Sequence, residues 1–231
     1  MSEIFTRNFN LSSMSEIQSH RPTVAKIDLD ALARNFHSVK KFVGEQVSYM
    51  AVVKADAYGH GAVECAKRLE SEGADWFAVA LPEEGVELRD AGISKSILCF
   101  GGCWPGQEDA LLDRKITPVI FTLETAKRFD DAAKSRDLQP NIHVKIDTGM
   151  GRVGVPWREA AAFAKELSSL SNLNVQGMMT HFASADDLAE NDFTNAQIER
   201  LENAVSVFRE CGFSPEIIDL ANSPGAVAHP N

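Results

Sequence analysis

The chain has 231 residues, 44% hydrophobic and 24% charged, with 33 acidic against 23 basic side chains and a formal net charge of −10. That composition supplies enough apolar side chain for one large globular domain, and the acidic balance excludes a surface that follows nucleic-acid phosphates, which needs clustered Lys and Arg. No apolar run approaches the roughly 20 residues of a membrane span, and the first 22 residues are polar, without the apolar stretch of a secretory signal.

Residues 1–22 read as a flexible tail, with Met14 as an alternative start, and residues 23–231 as a single domain. From Thr23 onward, short β-branched or aromatic runs alternate with longer amphipathic stretches, the pattern of repeated strand–helix–strand units on a parallel sheet. The predicted strands are 24–29, 47–53, 76–80, 97–100, 117–121, 142–146, 175–181 and 217–220. Several are apolar at nearly every position, as strands covered on both faces must be. Helix starts are marked by Asp30, by Pro82 with Glu83 and Glu84, and by Pro156, and Gly73, Gly92 and Gly212 fall where helices should stop. Eight strands with intervening helices predict an α/β fold of the (β/α)8 TIM-barrel type, with an open doubly wound sheet as the alternative. The four cysteines, Cys65, Cys99, Cys103 and Cys211, form no CxxC pair and have no His at zinc-ligand spacing, so reduced thiols in a cytoplasmic protein and no metal are expected.

In a barrel the loops after the strands form the mouth, and three strand ends carry unusual residues. The run Met50-Ala-Val-Val-Lys-Ala-Asp-Ala-Tyr-Gly-His-Gly61 puts Lys54 at the exit of an apolar strand. Desolvation there would favour the neutral amine that attacks carbonyls, or the side chain simply snorkels to solvent. Val144-Lys-Ile-Asp-Thr-Gly-Met-Gly-Arg-Val-Gly154 ends a strand in a glycine-rich turn where Arg152 offers a planar donor fork, either to a ligand or to water. Met178-Met-Thr-His-Phe-Ala183 ends in His181, a type of residue more often structural than catalytic at such a place.

Taken together these segments resemble the alanine racemase family. Ala-Val-Val-Lys-Ala-Asp-Ala-Tyr-Gly-His-Gly is similar to its cofactor-lysine signature, with Asp56 where Asn is common. Lys-Ile-Asp-Thr-Gly-Met-Gly-Arg-Val-Gly, Thr-His-Phe-Ala and Ala221-Asn-Ser223 match three further motifs in the expected order, and the similarity runs from Thr23 to Asn231. The resemblance implies that Lys54 carries pyridoxal 5′-phosphate as an imine and later moves protons on one face of the substrate Cα. It also implies that Tyr58 and Ser223 bind the cofactor phosphate, Asn222 lines the same pocket, His181 lies by the ring and Arg152 meets the phenolic oxygen. Lys145 matches a lysine that is carbamylated in many members, where the anion holds the arginine. The second proton donor of the family is a tyrosine from the C-terminal domain of the partner subunit in a homodimer.

By the same resemblance, the first predicted strand leaves the barrel, the lysine strand becomes the barrel's first, and the eighth strand, with an Arg-Pro-Gly segment, follows beyond Asn231. A barrel incomplete at its C-terminal end is therefore expected, from a bacterial enzyme that interconverts L- and D-alanine for peptidoglycan. Two other readings remain. A single-domain pyridoxal-phosphate carrier suits the length but has a Ser-rich segment in place of Asp147-Thr-Gly-Met-Gly-Arg152, and a racemase preferring serine or many amino acids suits the motifs.

Overall fold

The computed structural model describes residues 24–44 and 46–228, so the tail predicted over residues 1–22 lies outside the described residues. In chain order the elements are α1 (Leu29–Val43), β1 (Met50–Val52), α2 (Lys54–Gly59), α3 (Ala62–Ser71), β2 (Trp76–Val79), α4 (Pro82–Asp90), β3 (Ser96–Cys99), α5 (Glu108–Asp113) and β4 (Ile116–Ile120). They continue with α6 (Leu123–Ser135), β5 (Asn141–Asp147), β6 (Val155–Pro156), α7 (Ala160–Leu167), β7 (Asn174–Met179), α8 (Asn191–Glu210), β8 (Ile217–Asp219) and α9 (Ser223–Ala228). The strands pair in parallel in the order β1-β2-β3-β4-β5-β7-β8, with the two-residue β6 attached to β5. Gly73, Gly92 and Gly212 follow α3, α4 and α8 at φ near 90°, where they were expected to end helices.

One predicted strand is absent. Among the described residues, 24–28 pair with no strand, and the chain enters α1 at Leu29 because the Asp28 carboxylate accepts the Ala31 N–H at 2.9 Å. Asp28, rather than Asp30, is thus the cap. An extended segment without a ladder partner cannot be a strand, whatever its composition.

Side chains alternate across the sheet and build two separate apolar clusters. Phe77, Ile97, Ile120, Ile142, Val144 and Met178 face outward under the helices, while Ala78, Leu98, Val119 and Met179 pack with Met50, Trp76, Phe100 and Phe121 on the other face. The second face is the inside of a curl. Trp76 on β2 and His143 on β5 have ring centroids 5.5 Å apart, whereas three strand spacings in a flat sheet would separate their strands by roughly 14 Å.

The curl does not close among the described residues: β1 and β8 are its two edges. Val52, on the inner face of β1, is 39% exposed, and Ile218, on the outer face of β8, is 38% exposed, because each lacks the neighbour that a closed wall would supply. Helix α1 packs against both α3 and α9, the helices that follow the two edge strands. The architecture is an incomplete (β/α)8 TIM-type barrel, as expected from the sequence.

Candidate active site

The inner-face parity of Met50 and Val52 on β1 carries on to Lys54 at the strand exit, with Val53 buried on the outer side. Lys54 is half-buried, and its Nζ lies 5.1 Å from the centroid of the Phe100 ring and 5.9 Å from that of Tyr58. The chain then turns left-handed for four residues, Ala55 to Tyr58, with φ from 50° to 57°. None is glycine, and each costs about 1–2 kcal/mol in that conformation.

Hydrogen bonds hold the turn. The Ala55 N–H donates to Glu84 Oε1 at 2.6 Å, and Glu84 Oε2 accepts from the N–H groups of Ala80 and Leu81 at 2.7 and 3.0 Å, so one carboxylate ties the β1 exit to the β2 exit. Asp56 Oδ1 accepts the Ala62 N–H at 2.7 Å and its carbonyl accepts that of Gly61 at 2.9 Å. The Tyr58 ring is thereby left exposed at the rim.

Strand β5 brings three polar side chains to the inner face at successive levels: His143, Lys145 and Asp147. His143 is 0% exposed, and neither ring nitrogen lies in hydrogen-bonding geometry with a described residue. Burial pushes its pKa down to about 4, against a smaller upward pull from the Gln176 side chain. Gly177, its register partner on β7, leaves room for the ring: a Cβ there would stand 2.6 Å from it.

Lys145, 5% exposed, has its pKa lowered first by burial and then by the Arg152 charge, with Lys54 adding to the effect and Asp219 and Asp147 opposing it. The register Lys145↔Met179↔Asp219 sets Lys145 and Asp219 in one layer across three strands. Burial raises the Asp219 pKa to about 6, and Lys145 pulls it back.

The turn after β5 is braced from within. Asp147 Oδ1 accepts from the N–H groups of Gly149 and Gly151 at 3.0 and 3.1 Å, and at Gly154, φ +139°, a Cβ would lie 2.6 Å from the Asp147 nitrogen. Its glycines have the spacing of a dinucleotide loop, yet the turn runs into β6 rather than directly into a helix. Arg152 is exposed on this turn. His181, half-buried beyond β7, has its pKa lowered by burial first and then by Lys145, Arg152 and Lys54.

Four of the residues expected from the sequence, Lys54, Lys145, Arg152 and His181, thus share one electrostatic neighbourhood. Asn222 and Ser223 follow the edge strand β8. Asn222 Oδ1 accepts the Gly225 N–H at 2.9 Å, starting α9, and Ser223 is exposed on its first turn. Gly225 packs where a Cβ would meet the Phe182 ring at 2.8 Å, which seats α9 beside the β7 exit. Among the described residues no hydrogen bond joins Tyr58 to Asn222 or Ser223. Glu84 and Asp219 were not among the expected residues. Glu84 reads only as a helix start, while two-residue alternation from Ile217 would have turned Asp219 inward.

Residues 27–231 match the family described as "Alanine racemase, N-terminal domain". The chain belongs to the alanine racemase family. It is 42% identical over 208 residues to an alanine racemase of Geobacter sulfurreducens, a match covering 89% of this chain and 54% of the relative. The solved alanine racemase of Clostridium difficile 630 superposes with a TM-score of 0.84 at 38% identity, covering 90% of this chain and 57% of that one. That of Bacillus anthracis, solved with bound L-Ala-P, gives 0.77 at 33% identity over 88% and 54%. The chain spans about half the length of the alanine racemases it matches.

Proposed function

We propose that the chain forms the cofactor-binding barrel of an alanine racemase, in which Lys54 holds pyridoxal 5′-phosphate and the substrate is alanine, interconverted between its L and D forms. The observation that carries this reading is the convergence of Lys54, Lys145 and Arg152 at one end of the barrel. Lys54 and Arg152 set positive charge beside His181 at the exits of parallel strands on one end of the barrel, in a protein whose net charge is −10. A positive mouth around a primary amine, walled by the Phe100 ring, suits a planar aromatic aldehyde bearing a phosphate.

The bound cofactor supplies electron withdrawal from the substrate Cα, which makes its hydrogen labile. The chain's own residues position and move protons. The Lys54 amine takes and returns the Cα proton on the face it addresses. Tyr58 and Ser223, both exposed, would offer hydroxyls to the cofactor phosphate, and Asn222 fixes the Ser223 segment by capping it. Arg152 would donate to the cofactor's phenolic oxygen, and His181, biased towards the neutral form, would pack beside its ring. Burial likewise favours the neutral Lys145 amine, the species that adds carbon dioxide and releases a proton. The resulting carbamate would hold Arg152 by charge-assisted hydrogen bonds. Residues 23–231 act as one domain, the assembled enzyme is a cytoplasmic homodimer, and its D-alanine serves peptidoglycan synthesis in a bacterium. The Bacillus anthracis relative, solved with L-Ala-P, supports an alanine-sized amino acid as the substrate.

The test is exchange of the alanine Cα hydrogen in heavy water, followed by NMR with added pyridoxal 5′-phosphate. The chain should exchange the hydrogen of one alanine enantiomer faster than free cofactor does, and Lys54→Ala should not. Equal exchange by the Lys54→Ala variant would remove Lys54 from the reaction.

A further inference from the structure

Gln197 on α8 is 0% exposed and uses both ends of its amide. Nε2 donates to Thr148 Oγ1 at 3.0 Å and to the His181 carbonyl at 3.1 Å, while Oε1 accepts the Ala183 N–H at 3.0 Å. The amide cannot be turned over, since that would set its oxygen against a carbonyl and its N–H groups against an N–H.

The direction of the next links follows from counting protons. Thr180 Oγ1 donates to the Ile146 carbonyl at 2.9 Å, which uses its single hydrogen. In the 2.7 Å contact between the two hydroxyls, Thr148 is therefore the donor and Thr180 the acceptor. The result is a one-way series from the Gln197 N–H to the Thr148 hydroxyl, the Thr180 hydroxyl and the Ile146 carbonyl. Thr148 and Thr180 are 0% and 2% exposed, so each bond is made away from water, where losing one leaves an unpaired group.

Arg200, one turn along α8, grips the same residue from its other side. It donates to the Thr148 carbonyl at 2.6 Å, with its guanidinium 5.3 Å from the Trp157 ring centroid and 5.7 Å from that of Phe193. The series joins two segments that α8 does not continue. Ile146 and Thr148 flank the exit of β5, between Lys145 and the turn that carries Arg152, whereas Thr180, His181 and Ala183 form the exit of β7. No member of the series is a mouth side chain.

We propose that Gln197 is a positioning residue which, through Thr148 and Thr180, fixes where the His181 ring stands relative to Lys145 and Arg152. Its bearing on catalysis rests on the function proposed above, but the geometry it controls is measurable without cofactor. The experiment is a pH titration of the His181 ring by NMR in the full chain with labelled histidine, the signal being assigned by its loss in His181→Asn. Gln197→Met removes all three amide bonds at similar volume, and Thr148→Val removes the hydroxyl while keeping its shape. Leu201→Ala, on the same helix and equally buried, lowers stability without touching the series.

In Gln197→Met and in Thr148→Val the His181 titration should move back towards the ordinary histidine value, and the double variant should show no more than the larger single shift. Leu201→Ala should leave it in place. An unmoved His181 in both folded variants, or an equal move in Leu201→Ala, would reduce Gln197 to a contributor to stability and overturn the proposal. A chain that takes up no pyridoxal phosphate would refute the proposed function and leave the histidine result standing.

Discussion

His143 should make the barrel sensitive to acid. Its ring is fully buried against Trp76 and Gly177, with a folded-state pKa of about 4 against 6.5 for an ordinary histidine. Below pH 6.5 the unfolded chain therefore binds a proton that the folded chain refuses, and stability falls with falling pH until the folded pKa is passed. At about 1.4 kcal/mol for each pH unit between the two values, the full loss is about 3 kcal/mol, of which about 2 kcal/mol is reached by pH 5. His143→Met keeps roughly the side-chain volume and removes the titration. Urea unfolding at pH 7.5 and pH 5 should show the wild type losing about 2 kcal/mol more than the variant over that interval. Equal losses would mean that His143 is protonated in the folded barrel, and the burial argument would fail.

The layer above should respond with the opposite sign. Asp219 has its pKa raised to about 6 by burial, so its neutral form favours folding at low pH and that contribution disappears as pH rises through 6. Asp219→Asn should thus gain stability relative to wild type at pH 7.5, with the difference shrinking towards pH 4 in the same urea assay; a variant less stable at pH 7.5 would argue that the Lys145 attraction outweighs burial. Gly177→Ala would put a Cβ 2.6 Å from the His143 ring and should cost about 1–3 kcal/mol by overpacking. Adding His143→Ala should recover part of that loss, and a double variant no better than the sum of the singles would show that the clash lies elsewhere.

Much of the barrel can be read from local sequence. Runs such as Ile142 to Ile146 are strands because both of their faces are covered, and Lys54, Arg152 and His181 all follow strands that run in parallel, on the same end of the barrel. Other features depend on partners that local sequence does not name. Residues 24–28 have strand composition but no strand beside them among the described residues, and the Asp28 cap decides where α1 begins. The left-handed turn at Ala55 to Tyr58 contains no glycine to announce it, because its support comes from Glu84, almost thirty residues later. Gln197 reads as one polar residue of an amphipathic helix, and only the packed structure shows that its amide closes the exits of β5 and β7. Asp219 could have been found by alternation from Ile217, but a three-residue strand carries that signal only weakly.

The central claim is that Lys54 is the amine that takes the cofactor. The chain should be mixed with one equivalent of pyridoxal 5′-phosphate, reduced with borohydride, and its peptides mapped by mass spectrometry. The account predicts a single dominant pyridoxyl label on Lys54, with Lys54→Ala leaving only weak, scattered labelling. A label of equal strength on Lys145 or on surface lysines, unchanged in Lys54→Ala, would contradict it.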